Sequence, residues 1–161
     1  MSDLLWYRVP LKLWRTNKET IPLPKYAKPG DSGMDIATPV DLELQPGVPA
    51  SFDAGFAVAI PEGWEGHIRS RSGLTKHKGI TACSGVGTID SGYRNTIGVT
   101  LLWNARWDTV DGWEPVRFKA GDRVAQLVIL PVAHALIQEV ESLEELGATE
   151  RGATGFGSTG L

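Results

Sequence analysis

A carboxylate and an aromatic ring stand three positions apart, as Asp90 and Tyr93, inside the stretch Gly87-Thr88-Ile89-Asp90-Ser91-Gly92-Tyr93-Arg94-Asn95-Thr96-Ile97. A carboxylate beside a concave surface can orient and deprotonate water, and a neighbouring ring can pack against a ligand. An aspartate in a turn more often caps its own backbone, so the stretch alone leaves both roles open. Arg71-Ser72-Gly73-Leu74 offers a guanidinium fork, a hydroxyl and the N–H groups of a helix start, a set that holds anions. A serine at that place is also the common helix cap. The run from Arg151 to Leu161 joins an arginine, Phe156, hydroxyls and many glycine N–H groups, suited to gripping phosphates and covering a base. The same composition equally suits a frayed tail.

Positioning such groups is the work of strands. Pro and Gly punctuate the chain at short intervals, in Pro22-Leu23-Pro24, Pro29-Gly30, Pro46-Gly47 and Pro61-Glu62-Gly63, with strand-like pieces between them. That is the spacing of an all-β chain. Strands are predicted over Leu11–Trp14, Met34–Ala37, Val40–Leu44, Phe56–Ile60, Glu65–Ser70, Gly98–Leu102 and Arg123–Leu130. Val124–Leu130, stopped by Pro131, suits a strand buried on both faces of a barrel or sandwich. Ile89, Tyr93 and Ile97 favour strand, while Gly87, Gly92 and Asn95 permit sharp bends or positive φ, so a β-hairpin is predicted around Asp90. Helical signal is confined to Ser72–Lys78 and the surroundings of Ser142–Leu146.

A chain of 161 residues holds one full hydrophobic core. Residues 1–150 are predicted as a single domain, and 151–161 as an arm too rich in glycine to order itself. Fully extended, that arm could reach roughly 36 Å, enough to arrive at a neighbouring subunit. A net charge of −3 gives no global attraction to nucleic acid or to an anionic membrane, so a small ligand held by local donors is expected. The lone Cys83 excludes an internal disulfide, fits a reducing compartment and suits a small buried strand position. No apolar run approaches the roughly 20 residues of a membrane span. Met1–Trp6 lacks the basic and apolar regions of a signal peptide, which makes the cytoplasm the expected location.

Five segments taken in order resemble the trimeric deoxyuridine triphosphatases, the dUTPases. They are Gly30-Asp31-Ser32-Gly33-Met34-Asp35-Ile36, Arg71-Ser72-Gly73-Leu74, the stretch around Asp90, Gly121-Asp122-Arg123-Val124-Ala125-Gln126-Leu127, and the tail from Arg151. The most specific pieces are Ile-Asp-x-x-Tyr-Arg and Gly-Phe-Gly-Ser-Thr-Gly. The resemblance implies a distorted jelly-roll-like β-barrel, a homotrimer with a C-terminal arm closing the site, and cleavage of dUTP to dUMP and pyrophosphate with Mg²⁺. On that resemblance Asp90 matches the residue that orients and deprotonates the attacking water, and Arg71, Ser72, Gly73 and Gln126 match phosphate-binding positions. Tyr93 matches the ring packed under the deoxyribose, and the backbone around Gly87 and Ile89 reads the uracil edge. Phe156 matches the ring stacked on the base, with Arg151, Gly157, Ser158 and Thr159 around the outer phosphates. Asp35, Asp122 and Arg123 match motif positions of structural use, the last two holding an inter-strand or subunit contact. The metal is expected on the triphosphate, with no direct protein ligand.

Several positions depart from the family pattern. Ser84 stands where many relatives carry an asparagine that contacts uracil, which shifts recognition towards the backbone. Gly92, Asn95 and Thr96 replace the common Asp, Gly and Glu, and Thr154 replaces a tail glycine. The segment Trp103–Trp113 is longer than usual and holds three tryptophans, which serve either as core filling or as a contact surface for a protein partner. Two other functions stay open. One is a dCTP deaminase-type enzyme of the same fold, against which the glycine-rich tail argues. The other is a regulatory binding protein that engages a partner in its nucleotide-bound form.

Overall fold

A computed structural model describes residues 8–16, 22–82, 85–104 and 114–153. Eleven strands carry the described chain: β1 (Lys12–Arg15), β2 (Met34–Ala37), β3 (Leu42–Leu44), β4 (Ala50–Asp53), β5 (Phe56–Ala59), β6 (Trp64–Ser70), β7 (Ile80–Ala82), β8 (Gly87–Ile89), β9 (Gly98–Trp103), β10 (Val116–Phe118) and β11 (Arg123–Pro131). One helix, α1 (Ser72–Lys78), and a 3-10 turn at Glu144–Leu146 complete the elements. All seven predicted strands form, with ends displaced by a residue or two. Ala50–Asp53, Ile80–Ala82 and Val116–Phe118 are strands that no periodicity announces, because three or four residues are too few to establish a period of two.

The strands pack as small sheets around one core. The order β2-β11-β6-β8 makes the four-stranded sheet, β4-β9-β7 the three-stranded one, and β1-β5 and β10-β3 two ribbons. All the strand pairs are antiparallel. In the four-stranded sheet, β11 lies between β2 and β6, and its Val124, Ala125, Leu127 and Val128 are buried, as its apolar run requires. Ile36, Leu44, Phe56, Ile68, Ile80, Ile89, Ile97, Val99 and Leu101 join one continuous cluster with Val124 and Leu127. Fully burying each such side chain is worth about 1.5–3 kcal/mol, which explains how short strands in four sheets hold together.

The predicted β-hairpin is not what forms. β8 leaves Asp90 at the edge of the four-stranded sheet, paired with β6, whereas β9 is the middle strand of the three-stranded sheet. Residues 90–97 are therefore a crossing between sheets. No two-residue mirror-image turn is available to hold β8 against β9, since neither Gly87 nor Gly92 adopts positive φ and Asn95 is followed by Thr96. The far end of the crossing is drawn to the other sheet instead: Ile97 N–H donates to the Phe56 carbonyl at 2.9 Å, and Ala54 N–H donates to the Ile97 carbonyl at 2.8 Å.

Candidate active site

Asp35, on β2, is cross-strand from Gln126 on β11, and Gln126 is opposite Arg69 on β6. The Asp35 carboxylate is only 11% exposed and accepts two charged donors, Arg71 Nε at 3.0 Å and Arg123 Nη1 at 2.9 Å. Arg71 Nη1 also donates to the Arg123 carbonyl at 2.9 Å. A guanidinium held on two sides keeps its plane fixed, so Arg71 is presented in one orientation at the start of α1. Backbone geometry makes Arg71 the N-cap residue of α1, with no side-chain cap, and Ser72 the first helical residue. A capping role for Ser72 is thereby corrected: Arg71 already supplies the extended turn into the helix, with φ −86° and ψ 125°. Ser72 and Gly73 are exposed. Gly79 closes the helix in the left-handed region, φ 65°, and its N–H satisfies the carbonyls of Leu74 and Thr75.

Gln126 sits half-buried against Gly33. A Cβ added at Gly33 would lie 2.5 Å from Gln126 Oε1 and 3.1 Å from its Cβ, so the motif glycine is what lets β2 and the amide side chain approach. Asp122 serves its own turn, its carboxylate accepting the Lys119 N–H at 2.8 Å and its carbonyl the Thr38 N–H at 2.9 Å. Arg123 makes the inter-strand contact expected of it, through Asp35.

Asp90 is exposed at the rim of a cavity of about 310 Å³ walled by Ile68, Gly87, Thr88, Ile89, Tyr93 and Ile97. A turn forms from Asp90 to Tyr93, with Tyr93 N–H donating to the Asp90 carbonyl at 3.0 Å. Arg94 folds back on the crossing, its Nη1 donating to the carbonyls of Ser91 at 2.6 Å and Tyr93 at 2.8 Å. Tyr93, 42% exposed, donates its hydroxyl to the Thr96 carbonyl at 3.0 Å. Thr96 Oγ1 in turn donates to Asp53 Oδ2. Asp53 and Arg94 went unassigned from sequence alone. Arg94 stands inside the specific motif, but Asp53 is 43 positions from its partner, and nothing local marks it.

Two groups of residues thus emerge along β6. Gln126 is opposite Arg69, and Arg71 follows Ser70 at one end of the strand, beside Asp35 and Arg123; β8 lies against the middle, with Gly87 opposite Ile68 and Ile89 opposite Gly66, so that Asp90 continues towards the other end. Gly66 and Ser70 are four positions apart on β6, roughly 13 Å along the strand. Arg151 lies in an exposed turn at residues 151–153. Cys83, Ser84, Phe156, Gly157, Ser158 and Thr159 lie outside the described residues, as do Trp107 and Trp113. Trp103 ends β9 half-buried against the core, so of the two roles weighed for the tryptophans it takes core filling. Among the described residues, no three His, Cys, Asp or Glu side chains converge to hold a metal ion, and no helix is long and apolar enough to cross a membrane.

Antiparallel sheets around one core, with a carboxylate on a crossing loop above a small half-open cavity, define a jelly-roll-like all-β protein built to hold a compact ligand. The dUTPase family profile matches residues 19–160. The deoxyuridine 5'-triphosphate nucleotidohydrolase of Cutibacterium acnes is 44% identical over 86% of each chain, and that of Thermobifida fusca is 46% identical over 87% of this chain and 73% of its own. A mutant dUTPase of Staphylococcus bacteriophage 80alpha, solved with dUpNHpp, superposes with a TM-score of 0.79 at 28% identity, covering 94% of this chain and 99% of that one. A mutant dUTPase of S. aureus phage phi11, described for its coordination of a structural Mg(II) ion, gives a TM-score of 0.72 at 27% identity over 84% and 99%. The chain belongs to the dUTPase family.

Proposed function

We propose that the protein is a dUTP diphosphatase, hydrolysing dUTP to dUMP and pyrophosphate and so lowering dUTP while supplying dUMP for thymidylate synthesis. The observation that carries this reading is the exposed Asp90 carboxylate at the rim of the cavity formed with Tyr93, Gly87 and Ile89. Asp90 accepts a proton from a water whose oxygen attacks the α-phosphorus. The bond from that phosphorus to the bridging oxygen breaks, and pyrophosphate leaves. Uracil enters the cavity against the backbone of β8, with Ser84 beside it. Tyr93 packs under the sugar and leaves no room for a 2′-hydroxyl. A fixed backbone pattern suits base selection, because mispaired buried groups discriminate by about 10⁴-fold or more.

Arg71, Ser72, Gly73 and Gln126 hold the phosphates, with Arg71 kept in plane by Asp35 and Arg123. The arm 151–161 closes over the nucleotide, bringing Phe156 to the base and Arg151, Gly157, Ser158 and Thr159 to the outer phosphates. Mg²⁺ would be carried by the triphosphate, whose oxygens are ligands of the kind it takes, and would supply charge that offsets theirs. General-base help is worth about 10²–10⁴ in rate, so positioning and charge stabilisation must supply most of the acceleration.

The site is assembled between copies of the chain, as a homotrimer. Within one chain, Asp90 follows the residue opposite Gly66, while Gln126 is opposite Arg69 and Arg71 follows Ser70, roughly 10–16 Å further along, whereas a general base must lie within about 3 Å of its water. A second support is the segment after β11, where Leu136 and Ile137 are 99% and 88% exposed in the single chain. Exposed apolar side chains of that size call for a partner surface. One cysteine in 161 residues suits the reducing cytoplasm as its place of work.

Incubating the full-length protein with dUTP or with dCTP, and resolving the products, tests the activity. Release of dUMP and pyrophosphate from dUTP, with dCTP untouched, is expected. A deaminated product from dCTP, or tight binding of dUTP without turnover, would overturn it in favour of the deaminase or the binding protein.

A further inference from the structure

The Tyr93 hydroxyl is tied, through Thr96 of the crossing, to Asp53 on β4, which belongs to a different sheet from the β8 that leads to Asp90. Asp53 ends β4, and its carboxylate is fixed before it meets the loop: Oδ1 accepts the N–H of Gly55 at 2.7 Å, in a turn where Gly55 adopts φ 76°. The other oxygen accepts the Thr96 hydroxyl. The backbone next to it is pinned: the Ile97 N–H donates to the Phe56 carbonyl and its carbonyl accepts the Ala54 N–H, while the Thr96 N–H donates to Asn95 Oδ1 at 2.8 Å. Thr96 thus has little freedom, and its carbonyl oxygen is the acceptor for the Tyr93 hydroxyl. The ring is anchored at its base by the Asp90–Tyr93 turn and at its tip by a chain of two hydrogen bonds leading to Asp53. Without the outer link, a ring that is 42% exposed has room to swing.

We propose that Asp53, acting through Thr96, is a positioning residue for sugar discrimination: it fixes the plane of the Tyr93 ring and thereby keeps ribonucleotides out. This rests on the reading of Tyr93 as the surface under the deoxyribose. Neither residue touches the substrate, and neither takes part in the chemical step. The arrangement also accounts for a departure in the sequence. Threonine at position 96 supplies a hydroxyl donor to a carboxylate, which an acidic side chain could not do when ionised.

The test compares kcat/KM for dUTP with kcat/KM for UTP in full-length Thr96→Val, Thr96→Ser, Asp53→Ala and Tyr93→Ala variants, each checked for unchanged mass in solution and thermal midpoint. Thr96→Val and Asp53→Ala are expected to lower the dUTP:UTP ratio by roughly 5- to 30-fold, the range of one lost charge-assisted hydrogen bond. Most of the change should come from faster use of UTP, with kcat for dUTP within about threefold of the parent. Thr96→Ser, which keeps the hydroxyl, should keep the ratio, and Thr96→Val combined with Asp53→Ala should lower it no further than either alone. If Tyr93→Ala relaxes the ratio while Thr96→Val and Asp53→Ala leave it intact, the relay is wrong and the role of Tyr93 stands. If Tyr93→Ala itself leaves the ratio intact, the sugar-surface reading fails and the relay fails with it.

Discussion

At the scale of the residue, the site depends on a division between groups that react and groups that hold them. Asp90 is exposed and forms no ion pair among the described residues, as the proposed role of a base that meets water requires, whereas Asp35 is 11% exposed and engaged by two arginines. On the proposed reading two motif carboxylates therefore have opposite uses, a difference set by their surroundings. Asp90→Asn is expected to retain nucleotide binding and to lose about 10²–10⁴ in kcat, the cost of a missing general base. Pre-steady-state turnover beside equilibrium binding of a non-hydrolysable dUTP analogue checks this, and turnover at the parental rate would remove Asp90 from the mechanism. Gly33 is the sharper case of a residue that acts by what it lacks. Gly33→Ala sets a methyl against Gln126 at both its amide and its Cβ, so the side chain must move and not merely rotate its tip. Such overpacking costs about 1–3 kcal/mol. We expect kcat/KM for dUTP to fall at least tenfold while the thermal midpoint falls only a few degrees; an alanine variant of parental activity would show that Gln126 is not needed where it stands.

At the scale of the element, what was legible in the sequence was whatever the local chain decides. β11 could be located because seven consecutive residues carry an apolar pattern and Pro131 stops it, and α1 because Ser72-Gly73 opens a short run closed by Gly79. The crossing at 90–97 could not be told from a hairpin, since its residues suit both. The choice is made by partners far away, when Ile97 bonds to Ala54 and Phe56. The same holds for β10, which exists as a strand because β3 accepts it across a separation of about 74 positions, in the Arg117–Glu43 pair. Beyond the end of that ribbon, Asp41 accepts Lys119 Nζ at 2.7 Å and the Ala120 N–H at 3.0 Å. The hydrogen bond from Lys119, followed by that from Ala120, holds the Asp41 carboxyl below its ordinary value of 3.8. A carboxylate whose folded value is depressed contributes stability that is complete above the unfolded value and is lost as pH falls through the folded one. Asp41→Asn should therefore lower the thermal midpoint slightly at pH 7, and the gap between variant and parent should close as pH drops below about 3.8. Because the pair is exposed, the effect should also shrink in high salt. A gap that persisted unchanged at pH 2.5 would mean that the asparagine does harm unrelated to charge.

At the scale of the whole molecule, β6 acts as a spacer. On the proposed reading it carries the phosphate-binding arginine at one end and the base-and-sugar cavity along the rest, so that a single chain would present two half-sites to different copies. Closed rotational symmetry would complete as many sites as there are chains, each proposed phosphate half meeting the Asp90 half of the next copy. Two inactive variants can test this without any structure of the assembly. Asp90→Asn removes the base and leaves the phosphate group intact, and Arg71→Ala does the reverse. Each alone should form a trimer by mass and lack turnover. When equal amounts are unfolded and refolded together, random assembly should give about a quarter of the sites an intact Asp90 from one chain and an intact Arg71 from its neighbour. Activity should therefore return to about a quarter of the parental level, with KM for dUTP unchanged, because the restored sites contain no altered residue. Mixing the folded variants without unfolding should return nothing until subunits exchange, and the rate of return then reports that exchange. If the refolded mixture stays as inactive as its components while mass measurement finds mixed trimers, both halves of each site come from one chain, and the distance along β6 must be bridged by a movement within the subunit.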